Sequence, residues 1–178
     1  MNGIQRYHGK YRATVINNVD PKSIGRLQVM VPDVSNVALS SWAMPCVPLG
    51  GIQMGMYMVP AINAGVWIEF EQGDPDYPIW VGYYWGSTVE VPATAKSVAP
   101  GVPVIVMQTP SQNAVVVSDV PVPPMMLLPG AMMVSGTSAI TADAQGVTIR
   151  APKITLEAAV IDINGLTSIN ETALVVTP

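Results

Sequence analysis

GVWIEFEQGDPDYPIWVG, residues 65–82, contains one strand, a turn and the start of a second strand. Val66, Ile68 and Phe70 occupy every second position of the first strand, so they share one face of an extended chain. Residues 73–76, Gly-Asp-Pro-Asp, are a turn signal. The second strand is expected over residues 77–85. The segment therefore predicts two consecutive strands, the first with one apolar face.

The sequence on the N-terminal side of this segment has the same period of two. DPKSIG at residues 20–25 predicts a turn by its Pro and Gly. Further strands are expected over residues 11–16, 26–31 and 41–47. Five or so strands within about 80 residues, with no convincing helical period, suit a small β-barrel built from residues 7–85.

The composition restricts the class of protein. Charged residues make up only 11% of the 178-residue chain, against about 25% in an ordinary soluble domain, while apolar residues make up 49%. A chain this apolar is not expected to be disordered. Prolines interrupt the uncharged stretches 42–68 and 120–142, which argues against a membrane-spanning helix. The many Pro and Gly among Val, Ile and Thr predict an all-β chain.

The net charge, the N-terminal residues and the cysteine content indicate which partners and which cellular compartment to expect. The net charge of −4 and the isoelectric point near 4.7 argue against a general nucleic-acid binder, which usually carries a basic field. Residues 1–10 lack the apolar run of a signal peptide, so we expect the chain to be made and kept in the cytoplasm unless something else exports it. Cys46 is the single cysteine and is expected to be a small buried apolar residue.

The composition changes after Trp85. Residues 86–100 have the composition of a linker, and Asp119 is the only charged residue between 97 and 142. Proline recurs every few residues there, which excludes helix. So uncharged a surface is expected to lie against another chain or domain rather than to pack independently. Residues 86–139 are therefore interpreted as a linker and transition segment.

From residue 140 the sequence repeats every seven residues, as ITADAQG, VTIRAPK, ITLEAAV, IDINGLT and SINETAL, and ends in VVTP. The first and third positions are mostly apolar, the fourth is always polar and the fifth is small. The first positions are Ile140, Val147, Ile154, Ile161 and Ser168, and the third positions are Ala142, Ile149, Leu156, Ile163 and Asn170.

The repeat favours strands over a coiled coil. On a helix, positions one and three point in nearly opposite directions, so no apolar seam forms. The period within each repeat is two, and Pro152 and Gly165 lie inside the pattern. Residues 140–178 thus predict short strands joined by tight corners. One such ribbon is too thin to bury its inner face, so several copies, most simply three, are expected to wind around a common axis. A flat sheet packed on the barrel is the alternative.

Several segments resemble one family. Residues 65–82 look like the baseplate spike proteins of contractile injection machines, the phage baseplate assembly protein V family, which is related to the valine-glycine repeat spikes of type VI secretion. The supporting segments are residues 7–34, 41–51, 59–70 and 108–128. The resemblance covers nearly the whole chain. It implies a homotrimer with an N-terminal OB-fold domain, residues 1–85, followed by a triple-stranded intertwined β-helix, residues 140–178.

The resemblance also implies a structural function, that of a central spike in a contractile tail or injection-system baseplate. A baseplate hub protein would bind the OB end, and the apex would contact the target envelope transiently and pierce it. Some relatives carry a lysozyme domain where this chain has only residues 86–100, so no muralytic activity is carried over. No His follows His8, so the His-x-His iron site of self-tipped relatives is not expected. The ending VVTP instead fits relatives capped by a PAAR-type tip protein.

The alternative function is an OB-fold binding module for nucleic acid or glycan. It would use basic side chains interleaved with aromatic ones. The candidates are Arg6, Lys10, Arg12, Lys22 and Arg26, with Tyr7, Tyr11 and Trp42 for stacking. We expect them instead to be solvated strand edges or contacts to a hub, and we expect no specific nucleic acid as a partner.

No catalytic, cofactor or metal site is expected, and the protein is not expected to be an enzyme. Glu69, Glu71, Asp74 and Asp76 fit a solvated strand face and a turn better than a cation site. The single His and the single Cys lie in different predicted strands. The 11 methionines fit adaptable packing at barrel and trimer contacts better than a thioether metal site.

Overall fold

The computed structural model describes residues 5–35 and 38–164. The chain divides into two compact units, Met1–Val91 and Pro92–Pro178, each of which is described by itself. Strands dominate both units, which confirms the all-β prediction, and the helices among the described residues are about one turn long. None of these helices is long and apolar enough to cross a membrane.

Five strands of the N-terminal unit curl into a barrel. The elements in chain order are β1 (Tyr11–Asn17), β2 (Gln28–Met30), α1 (Pro32–Ser35), β3 (Met44–Pro45), β4 (Gly50–Gly51), β5 (Met54–Gly55), β6 (Gly65–Phe70) and β7 (Pro78–Tyr84). The sheet order is β2-β1-β6-β7-β3, with β3 parallel to β7 and the other neighbours antiparallel. Leu27 and Ala43 exchange two backbone hydrogen bonds of 3.1 and 2.7 Å just before β2 and β3. The two edges of the sheet therefore meet, as in the expected five-stranded OB-like barrel.

Alternation along the strands fills the barrel. Val66, Ile68 and Phe70 share one face of β6 as predicted, and this face is buried, while the intervening residues of β6 are half-buried. The buried core consists of Ala13, Val15, Leu27, Val29, Val31, Ala43, Val66, Ile68, Phe70 and Trp80. The indole N–H of Trp80 donates to the carbonyl of Gly25 at 3.0 Å, which ties β7 to the loop between β1 and β2.

Asp20 organises the β1–β2 loop. Its carboxylate accepts hydrogen bonds from the backbone N–H groups of Lys22, Ile24 and Arg26. It also pairs with the Arg26 guanidinium at 2.6 Å, although its side chain is only 3% exposed. Arg26 lies over the ring of Trp42 at 5.2 Å. The guanidinium holds the pKa of Asp20 well below its usual range, because it stabilises the ionised carboxylate.

The prediction for Cys46 is wrong, because its thiol is exposed. The backbone N–H of Cys46 donates to the carbonyl of Trp80 at 2.9 Å, so the residue continues the pairing of β3 with β7. Ala43, and not Cys46, fills the barrel interior on this part of the chain. The apolar run around Cys46 suggested burial, but the strand places its side chain on the outside.

The C-terminal unit contains a five-stranded antiparallel meander. Its elements are α2 (Ala93–Lys96), β8 (Val104–Gln108), β9 (Ala114–Ser118), β10 (Gly130–Ser135), β11 (Ser138–Asp143) and β12 (Gly146–Arg150). The strand order is β12-β11-β10-β9-β8, so β8 and β12 are the edges. Ala114, Val116 and Met132 on one face of the sheet are buried against Val122 and Met126.

This sheet corrects the expectation that the uncharged segment 97–142 would not pack independently. The segment supplies β8, β9, β10 and most of β11, and it forms a small core of its own. The reason is that a meander buries one face of the sheet with apolar side chains from its own connections, such as Val122 and Met126. The other face of the sheet stays exposed.

The first two seven-residue repeats contribute to strands, whereas the later repeats among the described residues do not. The first two, residues 140–146 and 147–153, contribute to β11 and β12, which are joined by a tight turn as predicted. Residues 151–164 contain no strand, and Ile154 and Ile161 are about half exposed. A strand with no neighbour cannot complete its backbone hydrogen bonds, so single-chain repeats beyond β12 lack a partner. The last repeat, from Ser168, lies outside the described residues.

Candidate trimerisation surface

One face of the C-terminal sheet is apolar and exposed. The register places two cross-strand rows on it, each with one residue from every strand from β8 to β12. The first row is Met107, Val115, Met133, Ile140 and Ile149. The second row is Ile105, Val117, Ala131, Ala142 and Val147. We call these ten residues the apolar face.

All ten residues of the apolar face are exposed in the single chain. Val147 is 71% exposed and Ile105 is 65% exposed, although both belong to regular strands. Soluble monomers rarely leave a continuous apolar patch of this size open to water, and such patches mark interaction sites. The arrangement is therefore that of a protein contact surface.

Local geometry holds the apolar face in register. Gly130 begins β10 so close to β11 that a Cβ atom at this position would lie 2.1 Å from the carbonyl oxygen of Ala142. At the β11–β12 turn the Asp143 carboxylate accepts the backbone N–H of Gln145 at 2.8 Å. These contacts fix which residues of neighbouring strands lie opposite each other, and so align the rows.

The repeat pattern predicted part of this surface. Ile140 and Val147 at the first position, and Ala142 and Ile149 at the third, all lie on the apolar face. The contributions of β8, β9 and β10 were not assigned from sequence. Residues 104–107 and 114–117 are apolar at every position, so the period of two is hidden in them. A sheet register was needed to tell their two faces apart.

The basic residues named for the alternative function do not form one basic surface. Arg6 pairs with Asp74 at 3.2 Å, and Lys10 pairs with Glu69. Arg26 pairs with Asp20 at 2.6 Å. Carboxylates thus screen three of the five predicted cations, and a phosphate backbone needs unscreened cations.

The remaining members of that set have other neighbours. The Arg12 guanidinium lies 5.6 Å from the centre of the Trp67 ring and 5.5 Å from that of Tyr84, and Lys22 belongs to the β1–β2 loop. Tyr7 and Tyr11 pack on Phe70, with ring centres 6.0 and 5.6 Å from it, at the margin of the barrel core. Trp42 lies under Arg26. The aromatic side chains therefore do not form a row on which bases could stack.

The acidic set is divided between two environments. Glu69 pairs with Lys10 on the outer side of β6, whereas Asp74 pairs with Arg6 and accepts the backbone N–H of Asp76 at 3.1 Å in the turn. Glu71 begins the short 3₁₀ helix Glu71–Gly73. Within residues 5–35 and 38–164, no group of three or more His, Cys, Asp or Glu side chains is arranged to hold a metal ion.

His8 and Cys46 have separate neighbours. A Cβ atom at Gly73 would lie 2.8 Å from Cε1 of His8, so the imidazole packs closely on this glycine. Cys46 follows β3. A cavity of about 150 Å³ in the C-terminal unit, lined by residues that include Thr141, Asp143 and Arg150, is smaller than the 300–1,000 Å³ usual for ligand sites.

Comparison with protein families gives two matches that together cover most of the chain. Residues 11–85 match the type VI secretion system/phage-baseplate injector OB domain. Residues 104–175 match the phage baseplate V C-terminal trimerisation domain, and this match begins at the first residue of β8. The apolar face thus lies within the region that matches a trimerisation domain. No curated protein matches the chain.

Proposed function

Since the chain belongs to the family of phage baseplate V and type VI secretion spike proteins, we propose that its homotrimer is the central spike that pierces a target envelope. The trimer itself follows from the trimerisation domain. Members of these families are structural components of baseplates and not enzymes. The protein is thus part of a phage tail or of a related injection system.

The apolar face is the observation that carries the proposal. Three copies that turn this face toward a common axis remove thirty apolar side chains from water, ten from each chain. The chain carries few charges, and the rows on this face carry none. A core assembled from three chains also resists unfolding, because no strand can leave without disrupting the other two chains. A puncturing device needs such rigidity, since contraction of the tail supplies the work of piercing.

Three segments of the chain form the successive parts of the proposed trimer. We assign residues 1–85 to the OB domain, 86–139 to the linker and transition segment, which includes strands β8 to β10 of the C-terminal sheet, and 140–178 to the intertwined β-helix. In the trimer the repeats beginning at Ile154 and Ile161 gain strand partners from the other two copies. That pairing satisfies their backbone groups and covers their apolar side chains.

The two ends of the spike bind different partners. The baseplate hub protein binds the N-terminal unit, and a PAAR-type tip protein caps the C-terminal apex, which contacts the target envelope transiently. The segment Leu174–Thr177, which we expect this tip protein to cover, lies outside the described residues. In this proposal the trimer is assembled in the bacterial cytoplasm and then joins a baseplate. A phage tail, a tailocin and an extracellular or cell-anchored injection system would use nearly the same spike.

We assign the chain no catalytic residue, cofactor, metal ion or nucleic acid. The paired cations and carboxylates of the N-terminal unit support this assignment, because they stabilise the barrel surface and do not converge on one ligand. The spike acts by shape and stiffness.

Particles assembled without this chain test the function. These particles are expected to bind target cells but not to release a dye that is trapped inside the cells. Addition of the wild-type chain is expected to restore dye release. Thr137→Asp, in the exposed β10–β11 turn, is expected to restore release as well. Ile140→Asp, on the apolar face, is expected to fail. Dye release by particles that lack the chain would refute the piercing function.

A further inference from the structure

The N-terminal unit exposes a second apolar surface, distinct from the apolar face. It lies on the hairpin segment, residues 49–62, which contains β4 and β5. Ile52 at the hairpin tip is 99% exposed and Tyr57 is 69% exposed. The exposed large apolar side chains of the segment are Leu49, Ile52, Met54, Met56, Tyr57, Met58, Val59 and Ile62.

The hairpin segment has a defined shape. The backbone N–H of Met56 donates to the carbonyl of Leu49 at 3.0 Å, which closes the hairpin at its base. Gly55 has φ +159, and a Cβ atom there would lie 2.9 Å from the carbonyl oxygen of Leu49, so the two arms approach too closely for a side chain. Gly25 also lies against Tyr57, since a Cβ atom at Gly25 would be 3.4 Å from its ring. The hairpin segment therefore has a defined backbone conformation in which these apolar side chains remain exposed.

Size and charge indicate a protein partner. No Asp, Glu, Lys or Arg occurs between residues 34 and 68. The eight exposed side chains present an area comparable in order of magnitude with the ~800 Å² that one partner contributes to a standard interface. An uncharged surface of this size in water is costly, and an apolar partner surface would offset the cost.

If the chain forms the trimer of the proposed function, a neighbouring copy is available as this partner. Each N-terminal unit is tethered through residues 86–103 to the trimerisation domain, so three copies of the hairpin segment are held at high effective concentration. A cyclic trimer repeats one heterologous contact three times. We propose that the hairpin segment of each copy packs against the N-terminal unit of the neighbouring copy. The trimer would then have a second interface, independent of the apolar face.

Photo-cross-linking of the full chain tests this contact. A benzoylphenylalanine replaces Ile52, and trimers are assembled from a mixture of ¹⁵N-labelled and unlabelled chains. We expect mixed-isotope cross-links between position 52 and peptides from residues 5–91. The control carries the same group in place of Val89, which is 81% exposed and lies outside the hairpin segment. Cross-links within one copy only, or none at all, overturn the proposal, as does cross-linking that requires an added protein.

Hydrogen exchange provides a second readout that needs no substitution in the hairpin. Amides of residues 49–62 are expected to exchange at least about tenfold more slowly in the wild-type trimer than in the Ile140→Asp monomer. Equal exchange in the two proteins overturns the hairpin contact while leaving the trimeric spike intact. A wild-type chain that is monomeric in solution refutes the spike and the hairpin contact together.

Discussion

Replacing Ile140 tests the apolar face directly. Ile140 is the β11 residue of the first row, and it lies opposite Met133 on β10 and Ile149 on β12. Its side chain is 46% exposed in the single chain. A polar or smaller residue is therefore compatible with the folded sheet, and its effect should fall on assembly. Ile140→Ala and Ile140→Asp form a graded pair.

The expected magnitude follows from the exposed fraction. Full burial of an isoleucine side chain contributes about 1.5–3 kcal/mol, so assembly gains about 1 kcal/mol from the exposed half of each Ile140. Ile140→Ala therefore loses about 3 kcal/mol per trimer, which raises the overall dissociation constant about 100-fold. Ile140→Asp adds three unpaired carboxylates to an apolar interface, at several kcal/mol each. The aspartate variant should be monomeric at micromolar concentration.

Light scattering after size-exclusion chromatography measures the outcome. The wild-type chain should have a mass of about three times 18.8 kDa, and the aspartate variant a mass near 18.8 kDa with unchanged circular dichroism of the barrel. Thr137→Asp adds the same charge in an exposed turn and should remain trimeric. If Ile140→Asp stays trimeric at micromolar concentration and melts like the wild type, the apolar face is not the trimer interface.

Three further predictions concern other parts of the chain. Ile154→Asp should abolish the trimer or lower the temperature at which it dissociates, as followed by light scattering. The control Glu157→Gln should leave this temperature nearly unchanged. An unchanged dissociation temperature for Ile154→Asp would contradict the inward placement of the first repeat position. Because the folded-state pKa of Asp20 is lowered, its ion pair with Arg26 stabilises the barrel above the ordinary carboxyl pKa of about 4, and this contribution is lost as the pH falls toward the lowered value. The free energy of unfolding of Asp20→Asn, measured by urea titration, should therefore be lower than that of the wild type at pH 7 and should fall less below pH ~4. Identical plots of unfolding free energy against pH for the two proteins would refute this linkage. Elemental analysis should find no stoichiometric transition metal in the purified trimer, since no His follows His8 to supply the usual imidazole ligands, and about one iron per three chains would overturn this prediction.

The sequence alone determined the faces of the barrel strands. Val66, Ile68 and Phe70 alternate with polar or bulky neighbours, and only one register buries all three. The alternation of apolar and polar residues in the repeats likewise identified Ile140 and Val147 as members of one face. The signal is strong in these segments because apolar and polar residues occupy different faces.

Only the tertiary structure decided the features that depend on pairing between distant segments. Residues 104–107 are apolar on both faces, so their pattern does not show which side chains pack on Val122 and which stay exposed. The ion pair of Lys10 with Glu69 needs the register of β1 with β6. The outward thiol of Cys46 needs the pairing of β3 with β7. Local sequence fixes the period of a strand, but the strand acquires an inside and an outside only when another element covers one of its faces.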